Sequence, residues 1–235
     1  MIEPRLSELN IHEISAYLGM GGKEFPESEA EKVSSCVRMV VNECRPALVY
    51  KQVKIIRRQG AKEVSGEQSR PPALSLEGLI LPGQDISALM QGCSEAVVCA
   101  VTVGLGVDSL IARTQVSDMA RAVIMDACAS TAVENICNNF EQDLREALKS
   151  EGLYLTDRFS PGYGDLPLEV QKDIASFLNT QRRIGLIVSE NYMMTPVKSV
   201  TFAAGISGRE VRLRNSKCEF CSRRETCGCR NGYCS

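Results

Sequence analysis

The sequence contains very little histidine, no tryptophan and few aromatic residues. His12 is the single histidine, and Phe, Trp and Tyr together make up 5% of the chain. Without a second histidine the sequence specifies no Ser–His or Cys–His pair, so hydrolysis by a catalytic triad is not expected. His12 has no evident partner in the sequence, and a structural role is favoured for it.

The chain also lacks a long apolar run and a large excess of either charge. No stretch approaches the roughly 20 apolar residues that span a bilayer. The first residues, MIEPRLSELN, have neither the basic start nor the apolar core of a secretory signal. The formal net charge is −2, whereas binding to nucleic-acid phosphates requires a basic excess. We therefore expect a cytoplasmic protein with no membrane and no nucleic-acid partner.

Helical and strand patterns follow one another without regular alternation. Apolar residues at helical spacing predict helices over 26–44 and from Asp118 to about Lys149. Strand patterns occur in ALVYKQVKI, LSLEGLIL, EAVVCAVTV, IGLIVS and KSVTFAAGIS. EAVVCAVTV contains a continuous apolar run of strand length, which predicts a strand buried on both faces. The pattern predicts an α+β domain over residues 1–207, a mixed antiparallel sheet packed with helices, followed by a tail over 208–235.

Gly104 and Gly106 follow the buried strand and resemble part of a dinucleotide-binding loop. The full fingerprint needs a third glycine and an acid at the end of the next strand. Here Ser109 takes the place of the third glycine, and the following segments are helical. A plain strand-to-helix turn is therefore favoured.

The segment DRFSPGYGDLP, residues 157–167, predicts a shaped loop because proline fixes φ and glycine frees it. Arg158 can fork a carboxylate, and Tyr163 can stack on a ring or face a cation. Gly162 lets the backbone approach a ligand closely. A ligand with a carboxylate, a flat base and a positive centre would use all three, and S-adenosylmethionine is such a ligand.

The long central helix carries two acids, Asp126 and Glu134, in mixed surroundings. They are eight residues apart, which places them near one face about two turns apart. A buried acid is costly unless it is paired, so each either binds a ligand or pairs within the protein. Glu134 is the candidate for the ligand site.

Cysteine is abundant, with eleven residues in the chain, and five of them lie in the last eighteen positions. The other six sit among apolar neighbours and are expected to be reduced, buried and small. The five tail thiols suit zinc or an iron–sulfur cluster, although they match neither standard spacing; the alternative is a tail whose thiols bind nothing. The candidate metal ligands are Cys218, Cys221, Cys227, Cys229 and Cys234.

The loop and a later segment together resemble the S-adenosylmethionine-binding activation domain of cobalamin-dependent methionine synthase, in its stand-alone form. That family has an Arg-x-x-Pro-Gly-Tyr loop and then a Met-x-Pro segment ahead of a Ser-Val strand. RFSPGY and MTPVKSV are similar to these motifs, and the resemblance covers roughly residues 5–207. The matching positions are Arg158, Pro161, Gly162, Tyr163, Met194, Pro196, Ser199 and Val200.

The resemblance implies reductive reactivation of a corrinoid methyltransferase. The matched residues and Glu134 would bind S-adenosylmethionine, whose methyl group passes to cob(I)alamin. The cobalamin would be carried by a separate partner, a corrinoid-binding methionine synthase or a related methyltransferase. The electron would come from a flavodoxin-type or ferredoxin-type donor. No catalytic residue is implied in this chain, because cobalt is the nucleophile.

Two departures from the family pattern leave alternatives open. Phe202, Ala203 and Ala204 stand where the long enzymes have further aromatics, and Thr195 precedes the proline. One alternative is a metal-binding interaction module on a decayed scaffold, without S-adenosylmethionine binding. Another is a methyltransferase that acts on a small substrate without a corrinoid.

Overall fold

The structure is a computed structural model that describes residues 2–56, 73–211 and 213. Within these residues the helices are α1 (Ile11–Tyr17), α2 (Glu27–Glu43), α3 (Gln84–Leu89), α4 (Leu105–Ser117), α5 (Met119–Lys149), α6 (Val170–Leu178) and α7 (Thr180–Ile184). The strands are β1 (Ala47–Ile56), β2 (Ala73–Leu76), β3 (Leu79–Pro82), β4 (Glu95–Thr102), β5 (Tyr154–Leu155), β6 (Ile187–Val188), β7 (Met194–Thr195) and β8 (Ser199–Ser207).

Six strands form one antiparallel sheet in the order β3-β2-β1-β4-β8-β5, and β6 pairs with β7 apart from it. The predicted α+β class with an antiparallel sheet is confirmed. Strand β4 occupies the centre, and its side chains alternate between two apolar cores. Val97, Cys99 and Val101 belong to one core, while Ala96 and Val98 belong to the other. This double burial explains why β4 is apolar from Ala96 to Val101.

Helices cover both faces of the sheet. One core is shared with α1, α2, α4 and α5, and the other with α3, α6 and the β2–β3 hairpin. Helix α5 is the longest, and Asp118 caps its start by accepting a hydrogen bond from the Arg121 backbone N–H at 2.9 Å. The six cysteines outside the tail are reduced and buried, as predicted. No helix in the described part of the chain has the length and apolarity to cross a membrane.

One strand prediction was wrong: LSLEGLIL is a hairpin and not a single strand. β2 and β3 pair with Leu76 opposite Leu79, so Glu77 and Gly78 form a two-residue turn. Gly78 has φ +89°, a conformation that such hairpin turns require and that glycine adopts without steric cost. The Glu-Gly pair was the turn signal.

The glycines after β4 form the strand-to-helix turn that was favoured. Gly104 has φ +91° and precedes α4 directly. A Cβ on Gly104 would lie 3.1 Å from the carbonyl oxygen of Arg45. Gly106 lies equally close to Glu43, since its Cβ would be 3.2 Å from that carbonyl oxygen. Close packing on the α2–β1 corner therefore accounts for both glycines.

Candidate functional site

The loop over residues 157–167 is attached to the edge of the sheet. Phe159 forms an isolated bridge with Ala203 of β8, through backbone hydrogen bonds of 2.8 and 2.9 Å. The Phe159 side chain is buried in the core that holds Ala203. The bridge extends the pairing of β8 beyond β5 and fixes where Arg158 leaves the backbone.

The far end of the loop is fixed to α3. The Asp165 carboxylate accepts hydrogen bonds from the backbone N–H groups of Gln84, at 2.5 Å, and Asp85, at 3.1 Å. These are donors that the first turn of a helix leaves without partners. Gly164 has φ +53°, and a Cβ there would overlap the Asp85 carboxylate. The loop conformation therefore depends on its glycine and on this cap.

Asp165→Ala is expected to lower the free energy of unfolding by about 1 kcal/mol, because α3 loses its capping acceptor. The measurement is urea denaturation followed by circular dichroism. Glu151→Ala is the matched control, since Glu151 is exposed and its side chain has no hydrogen bond in the described part of the chain. Equal denaturation midpoints for the two variants would contradict the capping role.

A cavity of about 340 Å³ lies between the loop and α5. This volume is within the range of small-molecule sites. The lining residues come from α5, from the loop and from the segment after β8: Glu134, Asn138, Glu141, Arg145, Asp157, Arg158, Phe159, Ser160, Tyr163 and Leu213.

The α5 side of the cavity is a polar stripe at helical spacing. Glu134, Asn138, Glu141 and Arg145 follow one another at intervals of four, three and four residues, which places them on one face. Sequence reasoning identified Glu134 and missed the other three. The available signal was the seven-residue spacing between Glu134 and Glu141, which lies beside the apolar stripe of the same helix.

Arg158 is held by the protein's own carboxylates. Its guanidinium pairs with Glu134 through one terminal nitrogen and with Glu141 through the other. It also donates to Asn138 Oδ1 at 2.8 Å, and Glu141 pairs with Arg145 at 3.1 Å. Burial alone would lower the pKa of Arg158, but Glu141 and Glu134 outweigh it and raise that pKa above its ordinary value.

The charges that line the cavity do not cancel. Glu134, Glu141 and Asp157 contribute three negative charges, and Arg145 and Arg158 contribute two positive charges. The lining therefore carries a formal charge of −1, which favours a ligand with a net positive charge. Three of the five N–H donors of Arg158 already bind protein oxygens. The guanidinium therefore orients two carboxylates at the cavity wall.

The structure brings Glu134, Arg158 and Tyr163 together in the cavity lining. Tyr163 is 44% exposed there, with its ring available to a ligand. Pro161 and Gly162 belong to the same loop but do not line the cavity. Gly162 has φ +88°, and its N–H donates to the Leu166 carbonyl at 2.9 Å, so it forms a turn within the loop.

Met194 and Pro196 lie apart from this cavity. Met194 is in β7 and packs against the core shared with α6. The carbonyl oxygen of Pro196, which follows a cis peptide bond, accepts a hydrogen bond from Ser199 Oγ at 2.7 Å. Neither residue lines the cavity. Their assignment to ligand binding stays a prediction that the geometry of this cavity does not support.

The two acids of the central helix serve different cations. Asp126 pairs with Lys198 at 2.9 Å and is 54% exposed, whereas Glu134 pairs with Arg158. The acids therefore do not share a site, although the helix spacing places them near one face. Glu134 is the one that reaches the cavity.

The β8 residues that depart from the family pattern, Phe202, Ala203 and Ala204, are buried inside the fold. Phe202 is buried beside Phe140, with ring centroids 6.2 Å apart. Ala203 and Ala204 are also buried, and Ala203 pairs with Phe159. These positions contribute to the two cores and not to the cavity lining.

The predicted metal ligands, Cys218, Cys221, Cys227, Cys229 and Cys234, lie outside the described residues. Within residues 2–56, 73–211 and 213, no group of three or more His, Cys, Asp or Glu side chains is arranged to hold a metal ion. The metal site therefore stays a prediction from the sequence.

Two comparisons with known proteins found a match. The family model described as "Vitamin B12 dependent methionine synthase, activation domain" matches residues 28–207. A crystal structure described as "MetH Reactivation Domain bound to AdoHcy" has a TM-score of 0.55 and 17% sequence identity, covering 81% of this chain and 69% of that chain. At that identity the likeness shows the fold. No curated protein sequence matches the chain.

Proposed function

Because the chain belongs to the vitamin B12 dependent methionine synthase activation domain family, we propose that it presents S-adenosylmethionine to a corrinoid methyltransferase and so restores that enzyme's methylated cofactor. The family match confirms the resemblance seen in the sequence and supports a reactivation role. The partner we propose is a corrinoid-binding methionine synthase or a related methyltransferase.

The observation that carries the ligand assignment is the charge of the cavity. At neutral pH S-adenosylmethionine has a sulfonium, an ammonium and a carboxylate, so its net charge is +1. The lining has a formal charge of −1 and encloses about 340 Å³. A related domain of known structure was solved with AdoHcy, the demethylated product. Charge, volume and family therefore support the same ligand.

The residues that would hold this ligand are Glu134, Arg158 and Tyr163. Tyr163 offers an aromatic face to the base or to the sulfonium. Glu134 offers a carboxylate to a cationic group, and Arg158 holds that carboxylate in place. Pro161 and Gly162 would act by shaping the loop that carries Tyr163.

The proposed reaction balances with one external electron. The corrinoid is the substrate: cob(II)alamin takes one electron to give cob(I)alamin, whose cobalt accepts the methyl group. The C–S bond of the sulfonium breaks, a Co–C bond forms, and S-adenosylhomocysteine leaves as a neutral thioether. We propose a flavodoxin-type or ferredoxin-type protein as the electron donor.

This reaction requires the chain to position its ligand and not to transfer protons. Methyl transfer from a sulfonium to cobalt moves no proton, so the site needs no general acid or base. Arg158, Glu134 and Glu141 are engaged in ion pairs with one another, which suits them to hold a ligand in a fixed orientation. The polar side chains of the cavity would therefore serve to position the ligand.

Isothermal titration calorimetry on the full chain tests the ligand assignment. We expect one molecule of S-adenosylmethionine per chain, bound more tightly than S-adenosylhomocysteine because the product lacks the sulfonium charge. Circular dichroism on the same sample establishes that the protein is folded. A folded chain that does not bind S-adenosylmethionine would contradict the proposal and favour the interaction-module alternative.

We further propose that the tail binds a metal close to this cavity. Leu213 lines the cavity, and Cys218 is five residues further along the chain. Five residues span at most about 18 Å, so the thiols can reach the region of the ligand. An iron–sulfur cluster there could relay the electron, whereas zinc could only have a structural role.

Anaerobically purified full-length protein is expected to contain iron or zinc that is lost when the chain is truncated after Ser216. The truncation removes all five tail thiols and leaves Leu213 in place. Elemental analysis with a visible spectrum distinguishes iron, which gives a charge-transfer band, from zinc, which gives none. A full-length protein without metal would contradict the metal site.

A further inference from the structure

Arg145 is the second arginine of the cavity lining, and the protein engages only part of its guanidinium. Its Nη2 donates to the Thr156 carbonyl oxygen at 3.2 Å and pairs with Glu141 Oε2 at 3.1 Å. Within residues 2–56, 73–211 and 213, neither Nη1 nor Nε of Arg145 has a hydrogen-bond partner. Because Nε is buried, Nη1 is the donor that remains for a ligand.

Arg158, the other arginine of the lining, is used more fully. Both of its terminal nitrogens contact protein oxygens, which belong to Glu134, Glu141 and Asn138. Its side chain is 16% exposed, against 29% for Arg145. An anion that enters the cavity would have to displace the protein's own acceptors from Arg158, whereas Arg145 offers it Nη1.

The polar stripe of α5 gives the cavity a direction. Glu134 is its first residue and Arg145 its last, eleven residues later, which separates their backbones by roughly 16 Å along the helix axis. Glu134 pairs with Arg158, which also pairs with Glu141. Glu141 in turn pairs with Arg145, so the charges alternate along the wall. A dipolar ligand would therefore lie with its cationic part toward Glu134 and its anionic part toward Arg145.

We propose that Arg145 is a specificity-determining residue, which binds the carboxylate of the ligand through Nη1. This inference rests on the proposed function. A hydrogen bond between a guanidinium and a carboxylate is charge-assisted and roughly twice as strong as a neutral one. In S-adenosylmethionine the sulfonium lies between the adenosine and the carboxylate. The sulfonium would therefore lie toward Glu134 and Tyr163, while the carboxylate contacts Arg145.

The inference divides two roles between the two arginines. From the sequence, Arg158 was the residue expected to fork a ligand carboxylate. In the structure Arg158 holds Glu134 and Glu141, which leaves the ligand carboxylate to Arg145. Arg145 belongs to no motif of the loop, and only the packing of the loop against α5 shows that it lines the cavity.

Arg145→Gln removes Nη1 and the positive charge, and we expect S-adenosylmethionine to bind roughly 10- to 100-fold more weakly. Decarboxylated S-adenosylmethionine, which has the sulfonium and the amine but no carboxylate, is the discriminating probe. It has no carboxylate for Nη1 to bind, and the loss of a positive charge from the cavity favours a cation. The variant should therefore bind this probe at least as tightly as the wild type does. A purely structural role of Arg145 would weaken both ligands.

Arg145→Lys is the second variant, and it keeps a positive charge beside Glu141, so the fold should be retained. Lysine has a single ammonium, which cannot replace Nη2 at Glu141 and Nη1 at the ligand together. We expect this variant also to lose more affinity for S-adenosylmethionine than for the decarboxylated probe.

Calorimetric titration of the full-length wild type and variants with both ligands tests the inference, and circular dichroism establishes that each protein is folded. Arg113→Gln is the matched control, because Arg113 is exposed on α4 and does not line the cavity. It should bind both ligands as the wild type does. Equal losses for the two ligands, or an unchanged affinity for S-adenosylmethionine, in the folded Arg145 variants would overturn the role of Arg145 and leave the proposed function intact. A folded wild type that binds neither ligand would overturn both.

Discussion

Glu141→Ala is expected to lower the free energy of unfolding by about 3 kcal/mol, at the lower end of the range for breaking a buried ion pair. The Glu141 side chain is 7% exposed and pairs with both Arg158 and Arg145. Its removal leaves two partly buried guanidinium groups with one carboxylate fewer. Glu134 still pairs with Arg158, and for this reason we do not expect the upper end of the range.

Urea denaturation measures this effect as a shift in midpoint at an unchanged slope. Glu146→Ala is the matched control on the same helix, because Glu146 is exposed and, among the residues that the structure describes, its carboxylate accepts a hydrogen bond only from Gln142, at 3.2 Å. We expect the control to change stability by less than about 0.5 kcal/mol. Similar losses in the two variants would mean that the ion pairs of Glu141 with Arg158 and Arg145 add little to stability.

The variant Glu141→Gln separates charge from shape. Glutamine keeps the volume and one acceptor oxygen but removes the negative charge. A loss close to that of Glu141→Ala would assign the effect to electrostatics, while a small loss would assign it to hydrogen bonding. A double variant with Arg158→Ala completes the cycle, and a coupling energy near zero would show that the two residues act independently.

The main elements of the fold could be predicted because local patterns determine them. β4 is apolar from Ala96 to Val101, and double burial requires this. Helix α5 begins after Asp118, a good capping residue, and no proline or glycine interrupts it before Lys149. The β2–β3 hairpin was missed because its turn is only Glu77 and Gly78 within eight residues that otherwise have a strand pattern.

The cavity could be predicted only in part, because its partners are remote in sequence. Arg158 and Tyr163 stand out in a loop rich in proline and glycine, and that signal is local. Glu141 precedes Arg158 by 17 residues, and its pairing depends on how the Phe159–Ala203 bridge places the loop against α5.

The ion pairs of Arg158 with Glu134 and Glu141 connect ligand binding with the stability of the fold. From the sequence, Arg158 was expected to fork a ligand carboxylate, which predicts an effect of its loss on binding. In the structure it also holds Glu134 and Glu141 in place. Without the guanidinium Glu134 and Glu141 would both lose this ion pair, although Glu141 would still pair with Arg145, so both stability and binding should suffer.

Arg158→Ala is therefore expected to weaken S-adenosylmethionine binding by about 1.5 to 3 kcal/mol, the range for hydrogen bonds to charged groups. Arg183→Ala, which removes an exposed arginine on α7, is the control and should bind as the wild type does. Calorimetry is performed well below the unfolding temperature of the variant, because lost pairing should also destabilise the fold. An unchanged affinity in folded Arg158→Ala would contradict the role of this residue.

Arg158→Lys then distinguishes the two ways in which the arginine can act. Lysine keeps one positive charge but lacks the planar fork that engages Glu134, Glu141 and Asn138 together. If the arginine acts mainly by neutralising carboxylates, lysine should recover most of the stability and most of the affinity. If the fork is needed to orient Glu134 toward the ligand, stability should recover while affinity stays low. We expect the second result, because a single ammonium cannot hold two carboxylates in the geometry of the cavity wall.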